Sequence, residues 1–191
     1  MSRPYATHGG YRPYISPTWR YDHYCLQWLE QREVESVLYV SFGTVAPVST
    51  KQLMELGLGL ESTNKPFIWS VKNKIKEVEK WFLEFEERVR DRGSLIVHGW
   101  PPQVLLLSHP SIGGFLTHCG WNSLLETICA GVPIGVSLGV EEAIISEEDI
   151  KDMEPMVKKE DVKRGVNRLL DEDGIGKECM QGKGANACRN G

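Results

Sequence analysis

Apolar residues along this chain fall into short unbroken runs, separated by stretches in which they recur every three or four positions. The runs Ser36 to Phe42, Pro66 to Val71, Ser94 to His98, Gly113 to Thr117 and Val132 to Val136 predict five strands. Segments such as VLYVSF and SLIV are almost wholly apolar, as strands buried on both faces require. Between the first two runs, Leu53, Leu56 and Leu60 keep helical spacing, and Ser49 with Gln52 forms a capping box for a helix reaching about Glu61. Between the second and third, Val78, Trp81, Phe82 and Phe85 share one face of a charged helical stretch. Cys25 to Leu29 is a short amphipathic turn ahead of the first strand. Strands alternating with helices predict an α/β fold built on a doubly wound parallel sheet. Such sheets bind ligands beyond the carboxyl ends of their strands. Thr44, the Gly99-Trp100 loop and His118 fall at those ends.

The 191 residues suffice for one domain with a proper core, and 41% apolar with 25% charged residues is an ordinary globular composition. A net charge of -4 without any Lys/Arg cluster argues against nucleic acid and against an anionic membrane surface. No apolar run is long enough for a membrane span, and the opening MSRPYATHGG lacks the apolar stretch of a signal peptide. The expectation is a cytoplasmic protein. Five cysteines, at 25, 119, 129, 179 and 188, are an odd set without zinc-like pairing and read as reduced thiols. His98, His109 and His118 lie on different elements with no carboxylate at ligand spacing, which argues against a metal site. Residues 1–24 are rich in Tyr, Pro and Arg without periodicity and read as an irregular leader. Residues 174–191 lack helical periodicity and read as a disordered tail, leaving 25–173 as the folded domain.

Candidate chemistry concentrates in residues 100–133. Trp100 opens a loop stiffened by Pro101 and Pro102, and its indole either stacks on a flat ring or fills the core. His118-Cys119-Gly120-Trp121-Asn122-Ser123 turns the fourth strand into a helix ending near Gly131. A helix start offers free N–H groups to an anion, to which His118, Asn122 and Ser123 add side-chain donors. Ser123 with Glu126 is equally a capping box that needs no ligand. Gln103 and Glu126 each read as solvated surface residues, although Glu126, one turn into a helix with apolar neighbours, is well placed to accept two ribose hydroxyls. Gly113-Gly114 lets a helix approach the sheet closely, or is plain packing. The chain has no G-x-G-x-x-G and no P-loop.

Together, WPPQVLLLSHPSIGGFLTHCGWNSLLETICAGVP and the flanking SVLYVSFGT, PFIWSV and FEERVRDRG resemble the signature box and C-terminal half of plant family-one UDP-glycosyltransferases. The resemblance runs from about Cys25 to Pro133 and resumes from Gly135 to about Asp173. It implies the Rossmann-like, nucleotide-sugar-binding domain of a two-domain GT-B enzyme. It further implies inverting transfer of a hexosyl group, most commonly glucosyl, from UDP-sugar to a small hydroxylated plant metabolite. No cofactor or metal is implied, and UDP-glucose is the family's commonest donor. By the same resemblance Trp100 stacks on uracil and the Pro101 backbone bonds its edge. Gln103 and Glu126 hold the ribose, His118, Asn122 and Ser123 contact the diphosphate, Thr44 adds a phosphate contact, and Trp121 lies near the sugar.

The chain departs from the family pattern in three places. The family's N-terminal domain carries the acceptor pocket and the histidine that deprotonates the acceptor, and no histidine here matches that role. A small-molecule acceptor is therefore expected only where such a domain is supplied. The box ordinarily closes in an acid-Gln pair for the sugar, whereas here Pro133-Ile134 runs directly into Gly135-Val136-Ser137-Leu138-Gly139-Val140. That junction implies a deleted crossover near 134–140, with a frayed sheet edge. In an ungapped register Glu142 takes the acid position and Ala143 replaces the Gln. Finally, the tail does not match the family's closing helix. The residues thus leave three readings of the chain's own activity: an impaired transferase, a UDP-binding remnant, or a non-functional product.

Overall fold

The computed structural model of the chain describes residues 19–42, 48–71, 79–132 and 154–171, with side chains from Tyr24 onward. Four strands, β1 (Val37–Ser41), β2 (Phe67–Val71), β3 (Leu95–His98) and β4 (Ile112–Thr117), pair in parallel in the order β3-β2-β1-β4. Each lies within one residue of the apolar run that predicted it. Helices are α1 (Trp19–Leu29), α2 (Thr50–Ser62), α3 (Glu79–Asp91), α4 (Gln103–Leu107), α5 (Trp121–Ala130) and α6 (Lys159–Leu170).

Alternation within the strands sends side chains to two separate cores. Leu38, Val40, Phe67, Trp69 and Ile96 pack under α2, α3 and α6. Val37, Tyr39, Ile68, Val97, Ile112 and Phe115 pack under α1 and α4. Helices on both faces make this the doubly wound α/β sheet that the apolar runs predicted. β2 and β3 wind outward on one side of β1, after which the chain crosses to place β4 on the other side. The switch point lies between the carboxyl ends of β1 and β4, where such sheets hold ligands.

Three sequence expectations need correction. The leader expected over 1–24 ends earlier, because α1 begins at Trp19 and runs through the Cys25–Leu29 turn. Cys25 and Leu29, both fully buried, fix its inner face against the sheet. The capping box at α2 is half formed: Ser49 Oγ accepts from the Gln52 amide at 3.1 Å, but the Gln52 side chain goes elsewhere. Its Nε2 donates to Val157 O at 2.7 Å and its Oε1 accepts from Val157 N at 3.0 Å, fastening the chain just ahead of α6. Helices α4 and α6 were not anticipated at all. A methyl group on Gly113 would overlap the Glu35 carbonyl first and then approach Leu170 of α6 to 2.9 Å, while one on Gly114 would overlap Leu169. Both readings of the pair therefore hold: Gly113 packs closely on the segment before β1, and Gly114 admits a helix, α6. The fifth strand beyond Val132, the junction at 134–140 and the tail at 174–191 lie outside the described residues.

Candidate functional site

The site begins where β3 ends. Gly99 adopts φ +133°, a conformation open essentially to glycine. Its N–H donates to Val71 O at 3.0 Å, and its carbonyl accepts from Ser70 Oγ at 3.1 Å. These bonds to the end of β2 turn the chain back across the carboxyl edge of the sheet. Trp100 follows, 55% exposed and outside both cores, so the core reading of this indole is excluded. Pro101 is buried and Pro102 precedes the first turn of α4. Leu106 and Leu107 anchor that short helix in the core, which holds Gln103 at its start over the sheet.

Gln103 and Glu126, each ambiguous in sequence, are brought together. Gln103 Nε2 donates to Glu126 Oε2 at 2.6 Å, joining α4 to α5, and both side chains are half-buried. A hydrogen bond to a charged acceptor contributes roughly 1.5–3 kcal/mol, and partial exposure puts this one toward the lower end. Beneath them lies a residue the sequence did not single out. Tyr39, on β1, directs its hydroxyl to Gln103 Oε1 at 3.3 Å and stacks its ring on Phe115 at 5.0 Å. Burial pushes the Tyr39 phenol far above its ordinary range, with Ser41 and Ser70 opposing and Cys25 and Glu126 adding, so it stays protonated. The available signal was a single hydroxyl-bearing ring inside the apolar run VLYVSF.

The second half of the site is the turn after β4. Cys119 takes the left-handed conformation at φ +59°, uncommon for a residue with a side chain, and this sharpens the passage from strand to helix. Gly120 occupies the N-cap of α5, and no side chain caps the helix there. The capping box expected from Ser123 and Glu126 is therefore not formed. The helix starts at Trp121, so Ser123 lies inside its first turn and Glu126 reaches Gln103 instead. A methyl group on Gly120 would lie 2.5 Å from His118 Nε2, which puts the imidazole at the amide-rich end of α5. Burial lowers the pKa of His118, leaving it neutral at pH 7 and a donor by dipole rather than by charge. Asn122 and Trp121 are exposed, Trp121 at 74%, while Ser123 is buried.

Thr44 and Glu142 lie outside the described residues. Among the described residues no three His, Cys, Asp or Glu side chains gather as a metal site, and no helix is long and apolar enough to cross a membrane. The assembled chemistry consists of an exposed indole, a donor–acceptor pair suited to vicinal hydroxyls, and an uncapped helix start with an imidazole beside it.

Residues 24–140 match the family described as UDP-glucoronosyl and UDP-glucosyl transferase. The chain is 55% identical over 175 residues to UDP-glycosyltransferase 73E1 of Stevia rebaudiana, covering 80% of this chain and 35% of that protein. It is 44% identical over 180 residues to UDP-glycosyltransferase 73C2 of Arabidopsis thaliana, covering 81% and 36%. Among solved structures, Glycyrrhiza uralensis UGT73P12, complexed with glycyrrhetinic acid 3-O-monoglucuronide, superposes with a TM-score of 0.71 at 29% identity, over 85% of this chain and 38% of that one. Phytolacca americana UGT2, complexed with UDP-2fluoro-glucose and pterostilbene, gives 0.65 at 35% identity, over 83% and 38%. The chain thus spans 35% of the length of the first of these curated relatives and 36% of the second.

Proposed function

The chain belongs to the plant family-one UDP-glycosyltransferases, and from that premise we propose that its described site holds the UDP portion of a UDP-sugar. The observation that carries this reading is the Gln103–Glu126 bond of 2.6 Å at the sheet's carboxyl edge, which sets a donor and an acceptor side by side. In the proposed arrangement Trp100 stacks on uracil, with the Pro101 backbone at the edge of the base. Gln103 and Glu126 take the two ribose hydroxyls. His118, Asn122 and Ser123, with the first amides of α5, take the diphosphate, joined by Thr44. Trp121 and Glu142 face the sugar. Residues 25–173 form the UDP-sugar-binding unit.

The reaction served by such a site is inverting hexosyl transfer, glucosyl foremost, to a small hydroxylated acceptor in the cytoplasm, without metal or nucleic acid. Charge develops on the β-phosphate as UDP departs. Fixed N–H dipoles at a helix start, already in place before the reaction, stabilise that charge at no cost of reorganisation. A neutral imidazole donates its one N–H to the same oxygens, and that hydrogen bond strengthens as charge develops there. The acceptor and the base that deprotonates it belong to a further domain, as in the family's two-domain architecture. On this reading the described site contributes the binding of UDP, and the acceptor's base is not among its residues.

A thermal melt of the chain with and without millimolar UDP, beside a Glu126→Ala/His118→Ala double variant, tests the assignment. At about a hundred times its dissociation constant a ligand stabilises by roughly 2.7 kcal/mol, a rise of a few degrees. The expected result is a shift in the parent that the double variant lacks. A cooperative melt indifferent to UDP overturns the proposal.

A further inference from the structure

We propose that Tyr39 is a positioning residue for the ribose-binding pair, fixing from beneath which end of the Gln103 amide faces Glu126; the inference rests on the nucleotide reading above. The two ends of a glutamine amide are nearly identical in shape, and only their partners decide the orientation. Here the partners lie on opposite sides and have opposite needs. Glu126 Oε2, 2.6 Å away, accepts and therefore requires the Nε2 end. The Tyr39 hydroxyl, 3.3 Å from the other end, donates and therefore requires Oε1. A separation of 3.3 Å is long for a hydroxyl bond, so its role is to orient rather than to add strength. Burial keeps the phenol protonated and so keeps it a donor.

Two other hydroxyls, those of Ser41 and Ser70, flank the phenol. Ser70 donates its own proton to Gly99 O at 3.1 Å and so offers Tyr39 only an oxygen. The amide carbonyl of Gln103 is the stronger acceptor of the two. With the hydroxyl removed, the donor that holds Oε1 on the sheet side is lost and the two amide orientations come closer in energy. The inverted one sets oxygen against the Glu126 carboxylate, and the pair parts. Held as it is, the pair leaves one Nε2 proton and one carboxylate oxygen uncommitted between its members. A vicinal diol requires that donor and that acceptor. The structure thus assigns to a residue of the sheet interior a share in recognising the ribose.

Tyr39→Phe keeps the ring on Phe115 and deletes only the oxygen. Dissociation constants for UDP and 2′-deoxy-UDP would be measured for the parent, Tyr39→Phe and Phe115→Leu, with exchange of the Gln103 side-chain amide protons followed by NMR. Tyr39→Phe is expected to weaken UDP about fivefold and to leave 2′-deoxy-UDP almost unchanged, so the preference for an intact ribose shrinks. Phe115→Leu, which disturbs only packing, lowers the melting point and keeps that preference. Parental selectivity in Tyr39→Phe overturns the inference. Should the parent bind neither nucleotide, the nucleotide reading itself fails. The positioning role is then decided by the free protein, where a Gln103 amide that exchanges equally fast with and without the Tyr39 hydroxyl refutes it.

Discussion

His109 shows how one side chain couples packing to pH. Its Nδ1 accepts the Ser111 amide at 3.2 Å, which requires the ring to be neutral at that nitrogen. Ser111 in turn directs its hydroxyl to Leu29 O at 3.0 Å and Arg32 O at 3.1 Å, tying the segment before β4 to the end of α1. Burial lowers the His109 pKa, with Glu30 opposing, and burial alone lowers that of His118. The unfolded chain therefore binds protons that the native state resists, and stability rises with pH wherever that difference exists. The contribution is complete above the unfolded imidazole value of about 6.5 and declines as pH falls from there through the lower native values. We expect the urea midpoint to drop between pH 7.5 and 5.5. His109→Asn, whose amide oxygen can still accept the Ser111 N–H, should flatten part of that drop. An unchanged slope in the variant would remove His109 from the explanation.

The packing of α2 on α6 explains why a glycine usually unfavourable in a helix is retained. Alanine in place of a mid-helix glycine ordinarily stabilises by roughly 0.5–1 kcal/mol. At Gly59 a methyl group would lie 2.6 Å from Val162 Cβ and 2.9 Å from Lys159 O, so the helices would have to separate. Glu55 Oε2 accepts the Lys159 amide at 2.7 Å and Gln52 holds Val157 from both sides, leaving little freedom to do so. Gly59→Ala is expected to destabilise by about 1–3 kcal/mol, measured by chemical denaturation; a gain in stability would mean that the helices slide apart freely. The residues of α6 that meet α2 and the sheet, Val162, Val166, Leu169 and Leu170, do keep helical spacing in the sequence. The pattern was masked by dense charge and by Gly165 at its centre. Helix α4 was hidden for another reason, since five residues after two prolines are too few to display a period.

The order β3-β2-β1-β4 ranks the strands by how they open. β1 and β2 are paired along both edges, whereas β3 and β4 each have one partner among the described strands. Amides of β1 and β2 should therefore exchange with solvent only through global unfolding, and the site segments, which lie on short connections and a five-residue helix, through cheaper local opening. Saturating UDP is expected to slow exchange at residues 99–107 and 117–126 beyond its effect elsewhere. Uniform slowing across the sheet, with no excess at those two segments, would place the nucleotide somewhere else.

By itself the sequence determined the four described strands, helices α2, α3 and α5, and the class of fold. Those follow from local periodicity and from the burial of both sheet faces, which the order of residues records directly. It also carried the residues through which the family is recognised, since these are contiguous from Trp100 to Pro133. Only the tertiary structure decided between readings the sequence left open. It placed Trp100 outside the core, started α5 at Trp121 so that Ser123 caps nothing, and joined Glu126 to Gln103. It alone brought Tyr39 beneath that pair, across 64 residues of chain. Contacts of that span depend on the crossover from β3 to β4 and on the turn of Gly99. A side chain's partner is set by that path through space, which no local pattern of polar and apolar residues encodes.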